Sequence, residues 1–287
     1  MPGDRYSQIS RILLRVFFLN ILVALPKIAF GYASGAVSIA SDGFHSLTDG
    51  ASNVTALVGI RAASRPPDSN HPYGHRKFET LASAAIFFFL LIVLIEVVRT
   101  ALGRFSSGEA PQVTTASFVV MIATLVVNLG VVAYESSEAR RLNSELLMAD
   151  SHHTRSDVYT SLSVIAALIG VKLGYPLLDP AAALLVAVFI GWSGLQIARE
   201  TSRVLSDATV LDESDVRTVV MSVPGVLGCH HIRTRGSADH AFLDLHVWAD
   251  RAMRLDDAHS LSHVVKDRLL ERYPQLADVI IHIEPGN

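Results

Sequence analysis

Apolar residues in this chain come in six long blocks, at about 11–32, 35–62, 78–103, 113–137, 144–172 and 177–203, parted by short charged or Gly/Pro-containing breaks. A helix needs about 20 residues to cross a hydrocarbon core, and every block is at least that long. Blocked rather than periodic apolar residues leave no polar face for water. The pattern therefore predicts an α-helical membrane protein with six transmembrane helices, embedded in a lipid bilayer. Composition agrees: of 287 residues, 50% are hydrophobic and 18% charged, with mean hydropathy +0.38. The net charge of −3 includes no long Lys/Arg run, so no nucleic-acid partner is expected. The N-terminal MPGDRYSQIS lacks a cleavable-signal pattern, and the first block reads as a retained span.

The second and fifth blocks break the apolar rule. They carry Asp42, His45, Asp49 and Asn53, then Asp150, His152, His153, Arg155 and Asp157. Such residues must face a polar interior. They also form a repeat, Asp42-x-x-His45-x-x-x-Asp49 and Asp150-x-x-His153-x-x-x-Asp157. A His and an Asp four apart share one helix face one turn apart, so each helix offers one nitrogen and one oxygen ligand. If these spans run antiparallel, His45 meets the level of Asp157 and Asp49 that of His153. The predicted result is a tetrahedral site of two nitrogens and two oxygens. Zn²⁺ accepts that set, whereas Mg²⁺ and Ca²⁺ prefer all-oxygen cages; Cd²⁺, Co²⁺ and Fe²⁺ are further candidates. Repeated intramembrane carboxylates mark ion paths more often than helix-tying contacts. Asp42 and Asp150, a turn away, fit either a partner of the His ligands or a contact between helices.

Basic residues set the orientation. Arg61, Arg65, Arg76 and Lys77 lie between blocks two and three, and Arg140 and Arg141 between four and five. Both segments are expected in the cytoplasm, with both termini there too. The domains are read as 1–207, six spans, and 208–287, a small α+β cytoplasmic domain. The latter opens with a charged helix, LDESDVRTVVMSVPG, with Asp212 in its first turn. CHHIRTRG and AFLDLHVWAD follow as strands around a Gly-Ser-Ala-Asp turn, then an amphipathic helix from about Leu255 to Tyr273, then the strand DVIIHIE. The order is α, β, β, α, β.

The remaining histidines cluster. Asp68-x-x-His71-x-x-x-His75 offers three ligands in a loop stiffened by Pro66, Pro67 and Pro72. It is a second candidate site, against the alternative of a solvated loop with incidental histidines. In the C-terminal domain, His230, His246, His259 and His282 fall on three strands and a helix, with Glu284 two residues past His282 on the same face. His231, His240 and His263 read as surface residues. Cys229 reads as a small core residue, and Arg233 and Arg235 as a solvated strand face. One cysteine makes no disulfide within the chain and no thiolate zinc cluster.

The paired HxxxD helices, the DxxHxxGH loop (Asp68, His71, Gly74, His75), the αββαβ tail and the stretch DVIIHIEP resemble the cation diffusion facilitators, the bacterial zinc and ferrous-iron exporters above all, over nearly the whole chain. The resemblance implies a Y-shaped homodimer with a metallochaperone-like cytoplasmic domain, exchanging Zn²⁺ for protons by alternating access. It implies a transport site of His45, Asp49, His153 and Asp157, and a loop site of Asp68, His71 and His75. It also implies a binuclear site of His230, His246, His259, His282 and Glu284 between the C-terminal domains of the dimer, and a charge pair, Lys77 with Asp207, at the dimer contact. Two departures stand out. Some bacterial members carry Asp where this chain has His45, which sharpens the case for zinc; relatives often carry Asp where this chain has Glu284, which bears on how many ions the C-terminal site holds.

The expected activity is export of a divalent metal from the cytoplasm across a cell (inner) membrane, by a protein that is not an enzyme. Protons and metal compete for one site, since ligation needs neutral His and ionised Asp. No GxxxxGK[ST] loop for ATP is present, and no HExxH helix for a membrane-embedded zinc protease. The C-terminal histidines are expected to act as a zinc sensor. The competing reading is a non-transporting membrane metal sensor or scaffold, which the intact repeat disfavours.

Overall fold

The computed structural model describes residues 2–63, 65, 67–107, 110–142 and 144–286; the side chains at 2–7, 52, 60, 62, 63, 145, 146, 149, 152 and 153 also lie outside the description, as does Pro66 of the loop. Two compact units divide the chain, Met1–Arg199 and Glu200–Asn287.

The first unit is helical: α1 (Pro2–Ser34), α2 (Val37–Ala63), α3 (Lys77–Ser107), α4 (Thr115–Leu142), α5 (Glu145–Lys172) and α6 (Leu178–Leu205), the last running into the second unit. Among the described residues, α1, α3, α4 and α6 are long and apolar enough to cross a membrane unaided. Helices α2 and α5 are not, because their polar residues lower the average. These two are the ones the sequence marks as needing a polar interior. The apolar helices turn large side chains outward, among them Phe18, Phe88, Ile92, Val126, Val188 and Trp192. In water such exposure is a liability; in a bilayer it is the solvated state. The inner faces pack Ile39, Leu90, Val93, Met121, Leu168 and Ile190 into one apolar cluster.

Two devices place α2. At Gly31 of α1, an added Cβ would lie 2.7 Å from Cα of Ala40, so only glycine lets the α1 and α2 backbones approach this closely. The first turn of α2 is capped from afar. Asp179 of α6 accepts from the backbone N–H groups of Val37 (2.9 Å) and Ser38 (3.1 Å) and from the Ser38 hydroxyl (2.5 Å). The carboxylate thus satisfies orphan donors and meets the positive end of the helix dipole.

The second unit carries α7 (Glu213–Met221), β1 (Gly228–Ser237), β2 (His240–Ala249), α8 (Leu255–Arg272) and β3 (Leu276–Pro285). Asp212 caps α7 from outside rather than lying in its first turn, accepting from Ser214 N at 2.8 Å and Asp215 N at 3.4 Å; the Ser214 hydroxyl, and after it these N–H groups, hold its carboxyl below the ordinary range. The sheet order is β1-β2-β3, with β1 and β2 antiparallel and β2 and β3 parallel. Helices cover one face, burying Val216, Val220, Leu243, Leu245, Val265 and Leu269. Cys229 is part of this core, as the sequence suggested, and burial pushes its thiol up. The alternation in β2 is regular: Ala241, Leu243, Leu245, Val247 and Ala249 face the helices, leaving His246 and Trp248 on the open face.

Candidate metal centre

Helices α2 and α5 lie side by side and antiparallel, so that going up α2 from Asp42 to His45 goes down α5 from Ser161 to Asp157. His45 Nε2 is 3.2 Å from Asp157 Oδ1, both side chains 4% exposed. Asp49, one turn along α2, joins them: one ligand atom from each of the three lies within 4.8 Å of the others. That is the compass of a single ion's coordination shell. Asp150 sits two turns before Asp157 on α5. His153 follows it on the same helix, and its side chain lies outside the described residues.

Asp42 is not a neighbour in contact with this set. Its carboxylate pairs with Lys27 of α1 at 2.8 Å, both fully buried, and accepts from Ser161 of α5 at 2.9 and 3.2 Å. Lys27 also donates to Ser46 and Ser161 at 3.2 and 3.0 Å. Of the two roles open to Asp42, the structure shows the interhelical one. Lys27 was missed in the sequence, although a lysine within an apolar block is itself a signal. Glu135 of α4 was missed likewise; it is fully buried and accepts from Thr154 at 3.0 Å.

The loop set is assembled by one carboxylate. Asp68 accepts from the backbone N–H of His71 (2.7 Å) and Asn70 (2.9 Å), which turns the chain back on itself. Gly74 follows at φ 83, where a Cβ would be strained. His71 Nδ1 and His75 Nε2 then lie 3.3 and 3.2 Å from the two Asp68 oxygens, and the three residues form a ligand-spaced group. The His71 backbone N–H, followed by smaller hydrogen-bond and charge effects, holds the Asp68 carboxyl below its ordinary range.

On the open sheet face, register decides the third group. His230 pairs with His246, His246 with His282 and Trp248 with Glu284, which lines the three histidines and Glu284 up across three strands. His230, His246 and Glu284 are ligand-spaced. His246 Nδ1 is 2.7 Å from Glu284 Oε1, and this hydrogen bond is the main reason the Glu284 carboxyl is held down. His282 Nε2 lies 3.8 Å from the same oxygen. Within one chain His259 stands apart from this set; on α8 its Nε2 is 3.2 Å from that of His263. His231, read as a surface residue, belongs beside the set. A bulge after His230, with His231 at φ 50, brings both rings to His246 at 5.1 and 5.2 Å. Lys77 opens α3 and Asp207 follows α6, both exposed.

The cation efflux transmembrane domain profile matches residues 13–206, and that of the cation efflux protein cytoplasmic domain residues 210–286. The chain belongs to the cation diffusion facilitator family. Members with similar sequence include the cation-efflux pump FieF of Serratia proteamaculans, 32% identical over 266 residues, 92% of this chain and 88% of that one. Metal tolerance protein C1 of Arabidopsis thaliana is 31% identical over 99% of this chain, which spans 64% of the plant protein's length. An uncharacterized transporter of Methanocaldococcus jannaschii is 30% identical over 92% of this chain and 94% of its own. The metal-bound C-terminal domain of the CzcD transporter from Thermotoga maritima, 28% identical, matches 27% of this chain and 98% of that one, with a TM-score of 0.24. As a facilitator, the chain is a cation-efflux transporter of the membrane, with helical spans followed by a small three-stranded domain.

Proposed function

We propose that this facilitator exports Zn²⁺ from the cytoplasm across the inner membrane in exchange for protons, by alternating access. The observation that carries the reading is the convergence of His45, Asp49 and Asp157 in the middle of two antiparallel helices. With His153 they supply two imidazoles and two carboxylates, a donor set that suits Zn²⁺ and admits Cd²⁺, Co²⁺ or Fe²⁺. Ligation needs neutral imidazole and ionised carboxylate, so protons that bind the same atoms from outside release the metal. Coupling then follows from competition for one site, without ATP.

The same reading puts both termini in the cytoplasm, in line with the basic residues at the end of α2, in the loop after it and at the start of α3, and with those at the end of α4. It takes residues 1–207 as the transporting domain and 208–287 as the regulatory one. It also takes the chain as a homodimer with Lys77 and Asp207 at the contact. Asp68, His71 and His75 would hold a cytoplasmic ion, and His230, His246, His282 and Glu284, with His259 across the contact between the two C-terminal domains of the dimer, would sense zinc.

The test is zinc flux into proteoliposomes under an imposed pH gradient, comparing the native chain with Asp49→Ala and Asp157→Ala. Flux that follows the proton gradient and is abolished by both substitutions supports the exchanger. Zinc binding without flux under any gradient in the native chain replaces it with the sensor or scaffold.

A further inference from the structure

A second polar layer crosses the helical unit between the mid-span set and the last turn of α2, with Arg61, and the first turn of α5, which follows the last turn of α4 with Arg140 and Arg141. Asn53 of α2 is one turn beyond Asp49, about 6 Å along the axis. Asp150 of α5 is two turns before Asp157, on the same face. In its donating orientation the Asn53 amide lies 2.8 and 3.1 Å from the two Asp150 oxygens. Glu135 enters from α4, and its carboxylate meets that of Asp150. One Glu135 oxygen accepts from Thr154, at 3.0 Å. The other, Oε1, is buried and faces no donor among the described residues.

Two carboxylates in contact inside a membrane cannot both keep their charge unless something positive lies between them. The Asn53 and Thr154 donors leave Glu135 Oε1 unserved, and an unserved buried oxygen is costly. A shared proton or a bound cation satisfies the layer equally well by charge. The layer's position separates the two. It lies on the face of α5 that also carries Asp157, and on the face of α2 that carries Asp49, so any ion moving between the basic ends and the mid-span set passes it.

We propose that Glu135, Asp150 and Asn53 form an all-oxygen cation station, which receives the divalent cation from the cytoplasmic side and hands it to the His45/Asp49/Asp157 set. Oxygen-only ligation holds zinc less tightly than imidazole with carboxylate. The station therefore fills and empties quickly, and selectivity stays with the histidines one to two turns further in. This role rests on the transport reading above.

Glu135→Gln separates the alternatives because glutamine copies a protonated carboxyl, keeps an acceptor for Thr154 and gives Asp150 a donor. In proteoliposomes with zinc supplied on the cytoplasmic side, the expected result is a half-saturating zinc concentration raised about tenfold or more, since loss of a group that merely positions a metal ligand already costs about 10–100-fold. The saturating rate should fall by much less, and Glu135→Asp should restore part of the affinity. An unchanged half-saturating concentration, or a fall in saturating rate alone, overturns the station and leaves a proton-sharing contact. If Glu135→Gln gives no flux at all, Asp150→Asn is read by the same two parameters and decides in the same way. Failure of the transport reading shows separately, as absence of flux in the native chain. Zinc bound per chain at equilibrium then decides: adding Glu135→Gln to Asp157→Asn removes one further ion if the station exists and none if it does not.

Discussion

Lys27 and Asp42 put an ion pair where neither side chain touches water or lipid. Desolvating both charges is expensive, and the pair stands only because Ser46 and Ser161 add hydrogen bonds around it. Removing one partner leaves an uncompensated buried charge. Asp42→Ala is therefore expected to destabilise the helical unit by about 3–5 kcal/mol, while Lys27→Met with Asp42→Ala recovers most of that loss. Thermal unfolding of the detergent-solubilised chain reads both, and a double variant no better than the single one refutes the account. The pair also explains why Asp42, spaced like Asp150 in the repeat, is surrounded differently: α1 brings a lysine beside Asp42, and α4 brings Glu135 beside Asp150. At the C-terminal set, Glu284 is the one carboxylate among imidazoles. Glu284→Ala is expected to weaken zinc binding there by at least about tenfold, the loss that even a group positioning a metal ligand gives, measured by competition with a chelating dye in the His71→Ala/His75→Ala background, which removes the loop imidazoles.

At the scale of elements, α2 depends on a cap it does not carry. Its first turn has no acidic residue of its own, and Asp179 arrives from α6. Asp179→Ala should lower the local stability of the α2 start by about 1–2 kcal/mol, seen as faster hydrogen exchange at the Val37 and Ser38 amides. Unchanged protection there refutes the cap's role. The β1 bulge is the corresponding device in the second unit. A regular strand would send His230 and His231 to opposite faces; the extra residue at His231 turns both toward His246. Lys266 of α8 ties to Asp278 of β3 at 2.6 Å, and that hydrogen bond is the main reason the Asp278 carboxyl is held below its ordinary value of 3.8. A carboxyl depressed by folding contributes stability above its ordinary value and loses it as pH falls through the folded one. The pair is about half exposed, which limits it to about 1 kcal/mol or less. Asp278→Asn should flatten the acid side of the stability profile below about pH 4, followed by hydrogen exchange at β3.

For the whole molecule, membrane topology is the property that joins the parts. Tyr175, in the turn between α5 and α6, and Ser69, in the loop after α2, are both exposed. In the Cys229→Ser background, Tyr175→Cys in intact cells should react with an impermeant thiol reagent and Ser69→Cys should react only after lysis. The reverse pattern overturns the assigned orientation.

The sequence alone determined the number and order of the helices, the two that had to be polar inside, and the αββαβ order of the tail. These follow from local causes: apolar length against bilayer thickness, the 3.6 and 2.0 residue periods, and the cost of an intramembrane charge. The spacing of His45 and Asp49, and of Asp68, His71 and His75, was legible for the same reason, since ligands a turn apart on one backbone need no tertiary information to face together. Partners far apart in the chain were not legible. Lys27 with Asp42, Glu135 with Asp150, Asp179 at the head of α2, and His230 with His246 and His282 depend on which helix lies beside which and on strand register. Tertiary packing alone decided those, because a single chain's periodicity says which face a residue occupies and nothing about the face that meets it.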